Sequence, residues 1–275
     1  MNAETKNYSV LMSVYSKERA DFLRQSVDSV FSQTILPNDF VLVCDGTLTD
    51  ELNKTIDELR KKYRCIQIVQ LEKNSGLGVA LSAGLEKTKN ELVMRMDSDD
   101  ICLSNRAAFE LPLMETYDLV GGFVSEFEGE QENIIGVRIV PEGYEDIHRF
   151  AKKRNPFNHP TVMFRKSVIL AAGGYKPLKY LEDYYLWVRL LLKNKKVHNV
   201  QKILVNMRSG THMRVRRSNK DSKSSIIFLR KFMFKNHFIG LFSYIFGTFL
   251  QLLAHSLPLK IRLRLYNKVL RKKAI

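Results

Sequence analysis

Along the first hundred positions, short apolar runs alternate with stretches whose apolar residues recur at helical spacing. Residues 8–14 (YSVLMSV), 40–44 (FVLVC), 65–71 and 91–96 read as strands buried on both faces. Between them, 20–32 carries Phe22, Leu23, Val27, Val30 and Phe31 on one helical face, and 49–63 carries Leu52, Ile56 and Leu59. Thr49 suits the N-cap of the second helix, and 79–88 predicts a third. Strand–helix alternation with short connections predicts an α/β fold with a parallel, doubly wound sheet and helices on both faces.

After a predicted helix at 104–117 the pattern changes. Residues 121–140 read as short mixed strands around the polar turn 128–133. A helix at 144–153, a strand at 160–165 and a helix at 181–193 follow. Composition shifts near 214–224, which divides the chain into a body, 1–215, and a helical extension, 216–275. The extension opens with a basic and apolar stretch, 225–234. It then runs 24 residues, 236–259, without a formal charge and ends on 16 residues with seven Lys and Arg.

Charge sharpens this division. The net charge is +15, yet from Arg214 onward fifteen Lys and Arg face one acid, Asp221. The first 213 residues carry 29 basic against 28 acidic side chains and are nearly neutral. The extension therefore predicts an anionic partner of its own. Cys44, Cys65 and Cys102 are too few and scattered for a disulfide framework and form no CxxC pair, which fits a reducing compartment. The N-terminus MNAETKNYSV lacks the apolar stretch of a secretory leader.

Candidate chemistry gathers at the ends of the predicted strands, where open parallel sheets bind ligands. Asp97, Ser98, Asp99 and Asp100 follow the fourth strand directly. Two carboxylates one residue apart suit a hard cation, Mg²⁺ or Mn²⁺, that keeps positions open for phosphate oxygens. A solvated acidic turn is the plain alternative. Asn74, Gly76 and Gly78 follow the third strand and open a helix, where backbone N–H groups and the helix N-terminus favour an anion. Asp45-Gly46 ends the second strand; the acid suits a nucleobase N–H or a ribose hydroxyl, or is a turn residue. Glu182-Asp183 opens an apolar helix and reads either as N-terminal acids or as a general base. Trp187, one turn on, reads as core.

The ordered set SVLMSVY, VLVCDG, NSGLGVALSAG, MRMDSDD, NPFNHPTVMFRKS, GGY and LEDYYLW resembles the family 2 glycosyltransferases of the GT-A fold, over roughly residues 8–215. Within the family it is similar to transferases of bacterial O-antigen and exopolysaccharide assembly. The resemblance implies that Val14, Tyr15 and Glu18 border the nucleotide and that Asp45 helps hold the nucleoside. Cys44 stands where many relatives carry another acid. Arg95 precedes the metal motif, and Asp97 and Asp99 match the metal and diphosphate carboxylates. Asp183 matches the catalytic base. His159 matches the acceptor side, and Arg214, Arg216 and Arg217 a lid over the diphosphate. The implied reaction is inverting transfer of a hexose from UDP-galactose, UDP-glucose or an N-acetylated UDP-hexose to a polyprenyl-diphosphate-linked saccharide, at the cytoplasmic face of the inner membrane.

The uncharged run is long enough as a helix to cross a bilayer, at about 36 Å. Ser243, Gly247, Thr248, Gln251, His255, Ser256 and Pro258 argue against crossing, and basic flanks on both sides suit peripheral binding to an anionic membrane surface. A helical cap packed on the body is the other reading. Two rival functions remain. A nucleic-acid-binding protein would interleave aromatics with the basic residues instead of carrying a long apolar run, so no nucleic acid is expected. A sugar nucleotidyltransferase would want a glycine-rich loop after the first strand, and Ser13-Val14-Tyr15-Ser16 has no glycine.

Overall fold

Strands and helices follow in the order the apolar runs predict: β1 (Tyr8–Val14), α1 (Ala20–Val30), β2 (Asp39–Cys44), α2 (Asp50–Lys62), β3 (Ile66–Gln70), α3 (Leu77–Lys87) and β4 (Leu92–Asp97). The computed structural model describes residues 7–209 and 220–257. Thr49 caps α2 as expected, its hydroxyl accepting the Leu52 N–H at 3.3 Å. Strand β1 pairs in parallel with β2 and β4, and β2 with β3, so these four strand ends share one edge.

The second half is mixed. It comprises β5 (Ile101–Cys102), α4 (Arg106–Leu113), β6 (Leu119–Phe127), β7 (Ile134–Arg138), α5 (Tyr144–Ala151), β8 (Met163–Arg165), α6 (Lys166–Ala171), α7 (Glu182–Leu192) and β9 (Val197–Arg208). The sheet runs β3-β2-β1-β4-β8-β6-β9-β5, with β7 on β6. Strand β8 is antiparallel to β4, whereas β6 and β9 are parallel to each other.

Two predicted elements differ, and one strand is new. The helix expected over 104–117 begins at Arg106 and ends at Leu113, with Pro112 in its last turn; separate turns close on the Pro112 and Leu113 carbonyls. The strand expected over 160–165 starts as one 3₁₀ turn, His159–Thr161. Strand β9 was not foreseen at all.

Alternation along the strands feeds two apolar layers. Tyr8, Val10, Met12 and Val14 face α1, α2 and α4, while Leu11, Val41 and Val43 face α3 and α7. Gly84 lets α3 sit close on the sheet: a Cβ there would lie 2.5 Å from Val43 Cγ2 and 2.6 Å from Leu11 Cδ1. The extension supplies α8 (Lys220–Lys235) and α9 (Leu241–Ser256). Leu229 and Met233 of α8 are buried in the same layer as α7, and the Tyr185 ring meets Phe228 and Phe232 edge-on.

Candidate active site

The ends of β1, β2 and β4 converge with the start of α3. Asp45, at the end of β2, spends one carboxylate oxygen on the Ser75 N–H (2.7 Å) and the other on the Gly76 N–H (3.0 Å). Gly46 has φ +87°, and a Cβ on it would lie 2.5 Å from the Asn74 nitrogen. Only glycine fits so close an approach in that region of backbone space. The two loops are thus clamped together, and Asp45 fixes the entry to α3. Gly76 opens that helix with φ +87°, and the space a Cβ would occupy there is open. Gly78 packs on the other side: a Cβ would meet the Lys176 carbonyl at 3.0 Å and Glu182 Cβ at 3.3 Å.

Val14 is core, its carbonyl accepting the Asp45 N–H at 2.8 Å. Tyr15 and Glu18 form the turn that follows, and Glu18 accepts from the Ser98 hydroxyl at 3.4 Å.

Strand β4 delivers the acidic cluster. Asp97, Asp99 and Asp100 bring one oxygen each within 4.8 Å of one another. Burial, followed by the charges of Asp97 and Glu18, pushes Asp99 up to about 7. Asp100 is raised well above the carboxylate range by burial and by Asp99 and Asp97. Asp100 Oδ1 accepts the Arg208 N–H at 2.9 Å, while Oδ2 is buried without a partner. Three hard oxygen donors crowded together, Asp99 and Asp100 destabilised as anions and one buried oxygen unsatisfied, fit a divalent cation.

Arg95 sits behind this cluster at 1% exposure and grips Asp97 with both ends of its guanidinium. Burial opposes its charge, but Asp97 more than compensates and raises its pKa. Behind Arg95 lies Arg106 of α4, also fully buried. It pairs with Glu110 at 2.9 Å and donates to the carbonyls of Pro160 (2.8 Å), Arg95 (3.0 Å) and Val162 (3.3 Å). That fan of bonds fixes β4 against the 155–162 segment.

The second acidic pair lies across from the first. Asp183 Oδ2 accepts from Asn155 Nδ2 and Oδ1 from the Tyr184 N–H, both at 2.6 Å. Burial raises the Asp183 pKa against these bonds and the charges of Arg138 and Arg95. Glu182 is pushed up to about 7 by burial and by the Asp183 charge. Tyr175 is within electrostatic reach of Arg95, Asp183, Glu182 and Asp97, and its hydroxyl lies 2.9 Å from His159 Nε2. Burial and Arg95 push His159 far below the imidazole range, so it is neutral. Trp187 is wholly buried as expected, edge-on to Phe157 and His159.

The structure therefore gathers Asp97, Asp99, Arg95, Glu182, Asp183 and His159 around one edge of the sheet. Arg214, Arg216 and Arg217 lie outside the described residues. Four residues escaped the sequence reading: Asn155 and Arg138, which address Asp183; Tyr175; and Arg208. Asn155 and Tyr175 stand inside motifs already singled out, NPFNHP and GGY, so the signal was present for them. Arg208 ends the unforeseen β9. It donates to the Asp99 carbonyl at 3.1 Å and to Gln25 at 2.8 Å, and stacks over Phe22 and Phe127.

Comparison with known proteins gives a consistent result. Residues 9–171 match glycosyl transferase family 2. The UDP-Gal:alpha-D-GlcNAc-diphosphoundecaprenol beta-1,3-galactosyltransferase of Escherichia coli is 34% identical over 275 residues, 99% of each chain. An amylovoran biosynthesis glycosyltransferase of Erwinia amylovora is 39% identical over 75% of this chain and 77% of its own. Among solved structures, a mannosyltransferase of Pyrobaculum calidifontis in complex with GDP-Man and Mn²⁺ superposes with a TM-score of 0.63 at 14% identity, covering 96% of this chain and 80% of its own. That likeness establishes the GT-A-like fold.

Proposed function

This chain belongs to glycosyl transferase family 2, and from that premise we propose that it moves a hexose from UDP-galactose, or a related UDP-hexose or UDP-N-acetylhexosamine, onto a polyprenyl-diphosphate-linked saccharide in surface polysaccharide synthesis. The observation that carries the reading is the pairing of two acidic groups at one sheet edge: a three-carboxylate cluster at the end of β4 and, across Arg95, the Glu182–Asp183 pair on α7. The E. coli relative, whose name specifies UDP-Gal and a GlcNAc-diphosphoundecaprenol, supports the donor and acceptor class.

Each side chain then has a task. Asp97, Asp99 and Asp100 hold a divalent cation, Mn²⁺ or Mg²⁺, which when bound supplies Lewis-acid charge neutralisation to the diphosphate leaving group. Arg95 holds and aims the Asp97 carboxylate with two hydrogen bonds. Asp45 holds the Asn74–Gly78 turn so that Gly76, with open space where a side chain would stand, lines the donor pocket, with Tyr15 and Glu18 beside it. Asp183 accepts the proton of the acceptor hydroxyl as its oxygen bonds to the anomeric carbon and the bond to the diphosphate breaks. Attack from the face opposite the leaving group inverts the configuration. The Tyr184 N–H and Asn155 orient the Asp183 carboxylate, and burial raises its pKa toward neutrality, where a base is most useful. His159, neutral and held by Tyr175, lines the acceptor side.

With a lipid-borne acceptor, the enzyme works as a peripheral protein on the anionic cytoplasmic face of the inner membrane. The test is a thermal-shift panel of UDP-sugars with Mn²⁺ or with chelator, since a ligand that binds only the native state raises its melting temperature. The expected result is a Mn²⁺-dependent rise with one or more UDP-hexoses. No rise with any nucleotide sugar would refute the reading.

A further inference from the structure

Helix α9 is turned inside out. Its protein-facing side carries the small and polar residues. Arg230 of α8, buried at 3% exposure, donates to the Ser243 carbonyl and, at 3.1 Å, to the Ser243 hydroxyl. Gly247 makes room for that guanidinium, because a Cβ there would lie 2.5 Å from Nη2. Gln251 donates to the Lys153 carbonyl at 3.1 Å, and Tyr244 stacks on Phe234 with ring centroids 5.0 Å apart. The outward side carries Phe242, Ile245, Phe246, Phe249, Leu250 and Leu253, all exposed, Phe242 at 79%.

A helix on a water-soluble surface has the opposite arrangement, apolar inward and polar outward. Single exposed apolar residues are ordinary, but a continuous face of this size marks an interaction surface. Crossing a bilayer is ruled out for this helix. Its 16 residues span about 24 Å against a hydrocarbon core of about 30 Å. No helix among the described residues is long and apolar enough. Ser243, Gly247 and Gln251, which interrupt the uncharged run, are accounted for by the protein-facing contacts.

Charge decides the occupant. Lys231 and Lys235 of α8, the helix against which α9 packs, are exposed, and the chain from Arg214 onward holds fifteen basic residues against Asp221. A second copy docking here would bring the same positive charge against itself, whereas an anionic leaflet is complementary.

We propose that α9 lies flat at the headgroup–acyl boundary of an anionic phospholipid bilayer, its outward apolar face inserted and Arg230 acting as the clasp that holds its inner face to the catalytic body. The docking follows from the helix itself; its purpose, bringing the active site to a lipid-linked acceptor, rests on the functional reading above.

The test is flotation of the full-length chain with phosphatidylcholine vesicles, with and without about 30% phosphatidylglycerol. The native chain floats with the anionic vesicles at least about tenfold more strongly than with the neutral ones. The double variant Phe242→Ser/Phe249→Ser loses at least about tenfold of that binding while keeping its thermal unfolding and UDP-sugar binding. A second probe, Phe249→Trp, gives blue-shifted fluorescence on adding anionic vesicles, above the constant background of buried Trp187. Failure of the native chain to float, or equal flotation of the double variant, overturns the proposal. So does a native dimer that does not float and that the double variant converts to monomer. If neither protein binds a UDP-sugar, the functional reading fails while flotation still decides this one.

Discussion

Replacing Asp183 with Asn separates chemistry from folding. The carboxylate accepts two 2.6 Å bonds, from the Tyr184 N–H and from Asn155. An asparagine has the same shape but one acceptor oxygen, so one of these donors meets an NH₂ group. Leaving a buried donor unpaired costs about 1–3 kcal/mol. Asn155 can turn to offer its oxygen, at the loss of the 3.2 Å bond that oxygen accepts from the Phe157 N–H. Losing a buried charge offsets part of this cost, so the melting temperature falls by at most about 12 °C, at about 2–4 °C per kcal/mol for a chain of this size, and the protein stays folded. Removing a general base lowers turnover by at least about 10²-fold, or about 2.7 kcal/mol of barrier. The assay is UDP release with acceptor present, beside titration calorimetry of the donor. Asp183→Asn binds donor as the native enzyme does and turns over at least about 100-fold more slowly. Turnover within about tenfold of native, or a loss of donor affinity matching the loss of rate, would refute the base assignment. If Glu182→Gln is inactive while Asp183→Asn is not, the two roles are exchanged.

Three further outcomes follow from the same geometry. Asp99→Ala abolishes Mn²⁺-dependent UDP binding in calorimetry without loss of thermal stability at neutral pH; Asp97→Ala does the same but also lowers stability, because it strands buried Arg95, and unchanged UDP affinity in both variants would contradict the metal assignment. Glu182 is raised from about 4.5 to about 7, so its stabilising protonated form is present at low pH and lost as pH rises through about 7; Glu182→Gln therefore gains stability over the native chain at pH about 8 and not at pH about 5, checked by urea unfolding at both. Arg106→Leu costs about 3–5 kcal/mol in the same assay, because it leaves Glu110 and three carbonyls without their buried partner; a cost below about 1 kcal/mol would show that the fan of bonds is not what fixes β4.

The first half of the fold was legible because each buried strand is a continuous apolar run and each helix has its own period. Thr49 marked a helix start, and the acids after β4 were placed by the strand they end. The second half was not. Strand β9 is interrupted by exposed Gln201 and Lys202, and its partner β6 lies about 80 positions earlier, with two shifts of register between them. Missing β9 meant missing Arg208. Arg106 and Glu110 look in sequence like an exposed pair one helical turn apart, and only the packing shows that both are buried. In the tail, composition distinguished apolar from basic stretches but not inward from outward. Ser243, Gly247 and Gln251 read as flaws in a membrane segment, whereas they form the face that grips the protein.

The central claim is that this sheet edge transfers a hexose with inversion. Its most direct test is to incubate the purified chain with Mn²⁺, a UDP-α-hexose and a synthetic N-acetylglucosaminyl-diphosphate lipid, and to determine the product by mass spectrometry and proton NMR. One added hexose in β linkage, formed only with metal and abolished by Asp183→Asn, is the predicted result. An α-linked product, or hexose released to water with the acceptor untouched whichever UDP-sugar is supplied, would contradict it.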